Sequence, residues 1–320
     1  MEDSILKSLG IKIGHYTDLI NLTGTTVFIA EKGANIGIDI RGSNTGTLNI
    51  PAFDPKAAGK LVHGIVLSGG STFGLESAFG VMQYLEKNKI GNITRGGIVP
   101  GITGAVIYDI AVGNKVYPNK SNGYTASENA SFNNLNQGNI GVGIGATVGK
   151  WFKGKKMKGG FGMSYAKLPN DIIVAAFVVT NSIGDIVNPA NGQFYFQNGG
   201  FQNPFEDKID KLTSLMDLSG TNTTLAVIAT NVDLDKTSLM KIAELAHDGM
   251  ARSIYPVHTN MDGDVIFALS ALKGNNLKLR IPEITLVDVI GLAGSNVLAE
   301  AIINSVLNAE SITGFPSYKF

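Results

Sequence analysis

The sequence predicts a thick layered fold that contains both strands and helices, and three observations predict it. Residues 171–181 and 223–230 are β-branched and aliphatic runs with the length of buried strands. Residues 236–253 carry apolar side chains at helical spacing, and residues 284–307 form an apolar helical stretch rich in small residues. Only 16% of the residues are charged, against about 25% in an average soluble domain. So little charge favours a thick layered fold or a homo-oligomer.

The charge balance argues against several classes of partner. Lys and Arg together number 26, and Asp and Glu also number 26, so the formal net charge is zero. This balance favours neither nucleic acid nor an anionic membrane. The first ten residues are acidic where a signal peptide is basic, and the apolar run at 172–179 is too short to span a membrane. A cytoplasmic protein with a small or neutral partner is therefore expected.

The sequence contains no cysteine, which excludes thiolate nucleophiles, disulfides and zinc-thiolate sites. His15 has no second metal-type residue near it and is interpreted as a structural histidine. His247 and His258 lie on either side of the end of the predicted helix and match no metal-ligand spacing. Neither a metal nor a cofactor is expected.

The N-terminal third is predicted to alternate short strands with turns. Strands are expected at 26–30 and 35–40, followed by a Gly/Ser/Asn-rich loop at 41–48. Residues 63–74 are predicted to form a strand, a glycine turn and the start of a helix. This turn lacks G-x-G-x-x-G, and Phe73 stands where G-x-S-x-G needs glycine. It is therefore either a tight packing turn or a loop that lines a substrate site.

The middle of the chain is predicted to contain a strand at 105–109, an Asn- and Ser-rich surface stretch at 117–137 and a glycine-rich stretch at 138–149. The glycine-rich stretch does not have phosphate-loop spacing, because Ile144 and Trp151 occupy positions that need glycine and Ser/Thr. We interpret its glycines as sites where the backbone passes close to another segment. Lys150 is then a single cation at the end of this crowded stretch. Residues 153–158 are predicted to be a solvated basic hairpin, and a modest binding patch for an anionic group is the alternative.

Two polar features follow buried strands in the second half of the chain. Asn181 ends a predicted strand, where its side-chain amide can either donate to an oxyanion or cap a turn. Asp262 and Asp264 lie one residue apart at the mouth of a strand, so period-two geometry places both carboxylates on one side. A plain turn or a weak calcium loop is the alternative, although the full EF-hand pattern is missing.

Thr223 follows the polar, turn-prone segment 219–222 and begins a buried strand. The polar stretch at 190–221 is the best candidate for an exposed linker, and it ends at Asn222. Threonine is a weak nucleophile, but its own α-amine can activate it if the chain is cut immediately before it. That cut would fall between Asn222 and Thr223. An ordinary junction between a loop and a strand is the alternative interpretation.

Taken together, these segments resemble the L-aminopeptidase/D-esterase family of N-terminal-nucleophile-type hydrolases, which includes the β-aminopeptidases and the 6-aminohexanoate-oligomer (nylon oligomer) endohydrolase. The matching segments span nearly the whole chain: Gly14-His15, residues 67–75, Tyr108-Asp109, Gly138-Asn139 with the glycines that follow, residues 158–162, Asn181, Asn222-Thr223 and Asp262-Gly263-Asp264. The Asn-Thr junction and the Lys-Gly-Lys context resemble the nylon-oligomer hydrolase more than the aminopeptidases, whose nucleophile is usually serine.

The resemblance implies an α+β fold, a four-layer αββα sandwich of the N-terminal-nucleophile-hydrolase type. It implies that residues 1–320 form a single catalytic domain without a cofactor, cut by itself into subunits 1–222 and 223–320 that stay together. A tetramer of processed protomers is the implied assembly.

The resemblance also assigns roles to individual residues. Thr223 would be the nucleophile and its freed amine the base, with Asn181 as oxyanion donor. Asp262 and Asp264 would hydrogen-bond the threonine hydroxyl and ammonium. Lys150 is also carried over as a catalytic residue, in the region where the aminopeptidases have tyrosine.

The resulting prediction is an amide-bond hydrolase of nylon-oligomer hydrolase or aminopeptidase type. Two alternatives stay open. One is an acyltransferase of the ornithine acetyltransferase type, which passes the acyl group to an amine. The other is a non-catalytic oligomeric binding protein. Retention of Thr223, Asn181 and both acids argues against the binding protein.

Overall fold

The structure is a computed structural model that describes residues 5–58, 60–151, 156–195, 222–271 and 282–318. Its strands are β1 Lys12–Asp18, β2 Thr23–Ile40, β3 Gly46–Leu48, β4 Val62–Ser68, β5 Asn92–Thr94, β6 Gly97–Val99, β7 Ile102–Val106, β8 Thr147–Val148, β9 Met157–Lys158, β10 Gly160–Leu168, β11 Ile172–Asn181, β12 Asp185–Ile186, β13 Thr223–Thr230, β14 Ile254–Tyr255 and β15 Val265–Ser270. Its α-helices are α1 Ile5–Leu9, α2 Ser77–Lys87, α3 Lys120–Glu128, α4 Lys236–Ser253 and α5 Glu283–Leu307.

Nine of the described strands form one sheet, in the order β10-β11-β13-β15-β2-β4-β7-β3 with β1 beside β2. Strand β2 is long enough to serve two halves of this sheet. Its N-terminal part pairs with β1 and β4, and its C-terminal part, at 35–40, pairs with β15. A register irregularity between Ile29 and Ala34 lies between the two parts. We predicted two short strands here, which was wrong, because the Glu-Lys-Gly sequence that resembles a turn lies within one continuous strand.

The two half-sheets face each other across a shared core. Phe28 of the first half packs edge-on against Phe177 of the second, with ring centroids 5.5 Å apart. Alternate residues of β11 serve two cores: Phe177 faces the first half-sheet, whereas Val178 packs against the layer of α4 and α5. This alternation is what period-two geometry requires of a strand buried on both faces.

A third core lies on the outer face of the first half-sheet. There Val66 of β4 packs with Val81 and Leu85 of α2 and with Ala126 of α3. The layers therefore run helix, sheet, sheet, helix, which confirms the predicted α+β sandwich. Helix α3 was missed in the Asn-rich stretch at 117–137, where Asn119 and Asn122 form a reciprocal capping box.

Helix α5 has the composition of a membrane span but the position of a core helix. Residues Thr285–Leu307 have a mean hydropathy of 1.7, yet 67% of this apolar stretch is buried inside the protein. A Cβ on Gly249 of α4 would lie 2.2 Å from the carbonyl oxygen of Ser295, so α4 and α5 pack with their backbones close together. The predicted helix at 284–307 is confirmed as α5, and α4 and the second half-sheet cover much of its apolar surface, whereas Leu292 is exposed.

Lys158 corrects the prediction of a solvated basic hairpin at 153–158. Residues 153–155 lie outside the described residues, but Lys158 is fully buried. Its Nζ donates hydrogen bonds to the carbonyl oxygens of Gly143 at 2.7 Å, Ala146 at 3.0 Å and Gly159 at 2.9 Å. Burial lowers the pKa of Lys158 to about 7, whereas three acceptors match the three N–H groups of the ammonium form. The buried Lys158 side chain thus stabilises the glycine-rich stretch through hydrogen bonds to its backbone.

Candidate active site

Thr223 is the first residue of β13 and is almost completely buried. It lies directly opposite Asn181, the last residue of β11, in an antiparallel pair. On its other side, β13 runs parallel to β15. The predicted strand starting at Thr223 is therefore confirmed, and the register of the sheet brings the hydroxyl-bearing residue and the amide-bearing residue together. The predicted linker lies largely at 196–221, outside the described residues.

The carbonyl group of Asn222 lies between the hydroxyl of Thr223 and a backbone amide. Thr223 Oγ1 donates a hydrogen bond to this carbonyl oxygen. The backbone N–H of Gly263 donates to the same oxygen at 3.1 Å. A Cβ at position 263 would lie 2.4 Å from the carbonyl oxygen of Asn44 and 2.8 Å from Thr223 Oγ1, so only glycine fits here without rearrangement.

Asp264 lies one residue further along and is also buried. Its Oδ1 accepts from the backbone N–H of Thr224 at 2.7 Å. Its Oδ2 accepts from the backbone N–H of His258 at 3.2 Å and contacts His258 Nδ1 at 2.8 Å. The carboxylate is thus held immediately beside the residue that follows Thr223.

Asp262 is held by a different set of donors. Its Oδ2 accepts from Thr259 Oγ1 at 2.6 Å and from the backbone N–H of Thr259 at 3.1 Å, and its Oδ1 accepts from the N–H of Ile183 at 3.2 Å. Burial, and then the charge of Asp264, raise the pKa of Asp262 to about 6. Both predicted acids therefore lie at the mouth of β15, but their oxygens meet different partners.

Lys150 and Asn181 form the opposite wall of the site. Lys150 Nζ donates to Asn181 Oδ1 at 3.0 Å and to the backbone oxygen of Asn181 at 3.3 Å. The Asn181 amide nitrogen donates to the carbonyl of Tyr108 at 3.3 Å, and the N–H of Thr147 donates to Oδ1 at 3.0 Å. Burial lowers the pKa of Lys150 to about 7, although the charge of Asp262 opposes the shift.

The glycine turn at 69–70 belongs to a neighbouring buried cluster. Asp109 Oδ1 accepts from the backbone N–H of Gly70 at 2.6 Å, and Asp109 Oδ2 accepts from Thr23 Oγ1 at 2.7 Å. Burial raises the pKa of Asp109 to about 6. This pinned geometry supports a packing turn at 69–70. His15 is also buried, with Nδ1 2.9 Å from Thr26 Oγ1, as expected for a structural histidine.

Sequence reasoning missed three contributors to the site: the side chains of His258 and Thr259, and the backbone N–H of Gly263. Thr259 lies three residues before Asp262, which is a local signal of a turn that a hydroxyl can close. His258 had no such signal, because its contact with Asp264 depends on the path of the chain from 256 to 263. The Gly263 amide depends on the parallel pairing that places Asn222 beside Asp262.

The arrangement brings together the parts that acyl transfer needs. A hydroxyl nucleophile contacts a carbonyl group whose oxygen already accepts a hydrogen bond from a fixed N–H. A buried amine with a pKa near neutrality and two buried carboxylates lie around it.

Comparison with known proteins gives relatives over nearly the entire sequence. The chain is 34% identical to an uncharacterized aminopeptidase of Mycobacterium leprae, over 99% of this chain and 93% of that protein. It is 32% identical to a 6-aminohexanoate-oligomer endohydrolase of Paenarthrobacter ureafaciens, over 82% of this chain and 73% of that protein.

Solved structures share the fold at low sequence identity. A β-aminopeptidase of Burkholderia sp. superposes with a TM-score of 0.71 at 16% identity, covering 97% of this chain and 87% of that one. The L-aminopeptidase D-Ala-esterase/amidase of Ochrobactrum anthropi, described as a variant of the Ntn hydrolase fold, gives 0.71 at 17% identity, covering 96% and 86%. These structures confirm the predicted fold.

The predicted resemblance is confirmed by a family match that extends over almost the full length of the chain. The sequence profile described as Peptidase family S58 matches residues 3–319. This protein therefore belongs to peptidase family S58.

Proposed function

We propose that this protein is an amide-bond hydrolase that first cuts its own chain between Asn222 and Thr223 and then uses Thr223 as an N-terminal nucleophile. One observation carries the proposal: the Thr223 hydroxyl lies against the carbonyl of Asn222, whose oxygen accepts from the Gly263 N–H. Membership in peptidase family S58 supports the broader class, hydrolysis of amide bonds.

The first reaction is an intramolecular acyl shift. Thr223 Oγ1 attacks the carbonyl carbon of Asn222, and the Gly263 N–H stabilises the negative charge that develops on the carbonyl oxygen. The bond between that carbon and the Thr223 nitrogen breaks, and the nitrogen takes up the proton lost by the hydroxyl. Water then hydrolyses the resulting ester, which releases the Asn222 carboxylate and leaves Thr223 with a free α-amine and a free hydroxyl.

This first reaction needs a base other than the α-amine of Thr223, because that nitrogen is still part of a peptide bond. Lys150 is suited to the role, since its lowered pKa leaves a neutral fraction near pH 7. Its Nζ donates a hydrogen bond to the side chain of Asn181. Asn181 is in turn directly opposite Thr223 in the antiparallel pair of β11 and β13. Directly opposed residues in antiparallel strands have Cα atoms about 4.5–5.5 Å apart. Lys150 would take the hydroxyl proton and return it to the leaving nitrogen.

The second reaction uses the new N-terminus. The Thr223 amine, with an ordinary α-amino pKa of about 7.7–8.0, accepts the proton of Oγ1 as the oxygen attacks a substrate amide. The same proton passes to the leaving amine, and water hydrolyses the acyl-threonine ester to release the acid. Asp262 and Asp264 would hold the α-ammonium and the hydroxyl of Thr223 in place by hydrogen bonds. The side-chain amide of Asn181 would donate a hydrogen bond to the substrate oxyanion.

The names of the relatives suggest linear amides as substrates. Incubating the processed protein with 6-aminohexanoate oligomers and with short peptides, each with and without an added acceptor amine, tests the proposal. Release of the free acid supports a hydrolase. Transfer of the acyl group to the acceptor supports the acyltransferase alternative, and no product with any substrate would leave the binding-protein alternative.

Replacing Lys150 with Met should slow self-cleavage strongly, since the variant keeps the side chain's length but has no base. In the parent, the rate of self-cleavage should rise with pH through about 7 as Lys150 loses its proton, and this rise should disappear in Lys150→Met. Once processed, the variant should show its ascending limb of kcat/KM at higher pH, because a nearby cation no longer disfavours protonation of the Thr223 amine.

Cleavage of purified precursor, followed on denaturing gels between pH 5.5 and 9, measures the effect of Lys150→Met. The exposed Lys115 provides the matched control, Lys115→Met, which should behave like the parent. A parental pH profile in Lys150→Met would remove Lys150 from the mechanism.

We also propose that the processed protein is a homotetramer in solution. The low charged fraction and exposed apolar side chains such as Ile93, Leu292 and Phe73 support association. Light scattering at micromolar concentration should give four times the protomer mass, and a protomer mass would contradict the proposal.

A further inference from the structure

We propose that His258 is a positioning residue of the active site, whose Nδ1–H holds the Asp264 carboxylate against the backbone N–H that follows the nucleophile. The inference rests on the proposed function, because it gives His258 a part in the chemistry of Thr223. It concerns a residue that the sequence pattern assigned to no site.

The geometry around Asp264 leaves His258 a defined task. Asp264 is 1% exposed, so protein groups must satisfy its oxygens. The N–H of Thr224 donates to Oδ1 at 2.7 Å, and His258 supplies two contacts to Oδ2, from its backbone N–H at 3.2 Å and from Nδ1 at 2.8 Å. Each oxygen is thereby directed, one towards the nucleophile strand and one towards the histidine.

An ionised carboxylate only accepts hydrogen bonds, so Nδ1 of His258 must carry the proton in this contact. A hydrogen bond from the ring to this oxygen therefore fixes the direction in which the carboxylate points. An anion beside the nucleophile is what the proposed turnover needs to hold the Thr223 ammonium.

The backbone of His258 supports a built rather than accidental contact. Its φ is 57°, in the left-handed region that residues other than glycine adopt uncommonly. This conformation lets the backbone N–H and the ring of one residue reach the same oxygen of Asp264. Such backbone geometry persists where the surroundings fix it, and it concentrates at functional sites.

The charged and titratable groups around His258 come from three parts of the fold. Asp264 contacts it from the mouth of β15, with Asp262 next to Asp264, and the ring of His247 on α4 packs edge-on with centroids 4.8 Å apart. Burial lowers the pKa of His247 to about 3, so this ring is neutral. Asp39 of β2 lies 3.5 Å from His247 Nε2, and Arg41 lies beyond it.

Three variants separate hydrogen bonding from packing. His258→Leu keeps an apolar side chain but removes the donor. His258→Asn places an amide N–H near the position of Nδ1 and tolerates the left-handed backbone. His247→Phe preserves the edge-on ring contact and leaves the bond between His258 and Asp264 intact.

The test is the pH profile of kcat and kcat/KM for amide hydrolysis by the processed parent and these variants. His258→Leu should lose about tenfold or more in kcat, the size expected for a hydrogen bond to a charged group. Its acidic limb should differ from that of the parent, because Asp262 titrates beside the Asp264 carboxylate, whose position has changed. His258→Asn should restore both values towards the parent, and His247→Phe should keep the parental profile.

A purely structural role for His258 gives a different pattern. Equal losses in His258→Leu, His258→Asn and His247→Phe, with the parental pH profile, would overturn the proposal. A second test uses ¹⁵N NMR of the parent protein with ¹⁵N-labelled histidine, and it does not require the His258→Leu variant to fold. The spectrum is simple to assign because the chain contains only four histidines. If Nδ1 of His258 carries no proton at neutral pH, the proposal is also overturned.

The outcomes distinguish this proposal from the proposed function. A parent that neither cuts itself nor hydrolyses amides would refute the function, whatever the NMR shows. A parent that is active while His258→Leu keeps its rate and pH profile would refute only the positioning role.

Discussion

Thr223→Ala leaves the chain as a single full-length band and abolishes amide hydrolysis, if the proposed function is correct. The variant lacks the hydroxyl that lies against the Asn222 carbonyl, so the acyl shift has no nucleophile and the α-amine is never released. Removal of the nucleophile from the hydrolase subtilisin lowers kcat by a factor of about 10⁶. The effect should be the largest of any single substitution in this protein.

The parent in the same experiment should give fragments of 222 and 98 residues, since 320 − 222 = 98. Denaturing gels and N-terminal sequencing of the smaller fragment measure this directly. Thr223→Val, which fills nearly the same space as threonine, should stay uncut, whereas Thr223→Ser should be cut because it retains a hydroxyl. A fragment that begins at a residue other than Thr223, or a cut Thr223→Val, would contradict the proposal.

Replacing either acid with Asn should lower kcat by about 10² or more while the protein stays folded. Asn keeps the shape of Asp but removes the charge that would hold the Thr223 ammonium. In Asp264→Asn the remaining carbonyl oxygen can accept from the Thr224 N–H or from His258, whereas the carboxylate accepts from both. Because Asp264, unlike Asp262, contacts the residue next to Thr223, we expect Asp264→Asn to have the larger effect.

The acid pair should also shape the activity at low pH. Burial and the charge of Asp264 raise the pKa of Asp262 to about 6, so activity that needs both anions should fall as the pH drops through about 6. In Asp262→Asn the fall in activity below about pH 6 should change. A measurement of Tm should show that this variant is folded. If both variants process and turn over like the parent, the acids form only a turn and the active-site assignment is wrong.

The sequence predicted the elements whose apolar pattern is local and continuous. Strand β11, strand β13 and helix α4 were predicted with nearly the observed bounds, because burial on both faces gives unbroken apolar runs and one buried helix face gives a period of 3.6. The continuity of β2 could not be predicted in this way, because a strand that serves two half-sheets contains a turn-like Glu-Lys-Gly segment at the point where its partners change.

The sequence by itself also determined the nucleophile candidate, since Thr223 is identified by the junction of a polar segment with a buried strand. Asn181, Asp262 and Asp264 were likewise found from their positions at strand ends. Each of these signals is contained in a short stretch of sequence around the residue concerned.

Only the tertiary structure decided which groups meet. The register of β11 against β13 places Asn181 opposite Thr223, and the parallel pairing with β15 brings the Gly263 N–H to the Asn222 carbonyl. Lys158 is buried with its amine among three carbonyl oxygens, two from the glycine-rich stretch 12 and 15 residues earlier and one from its own neighbour. His258 reaches Asp264 through a turn with left-handed backbone. These contacts depend on strand register and loop path, and both are set by packing between residues far apart in the sequence.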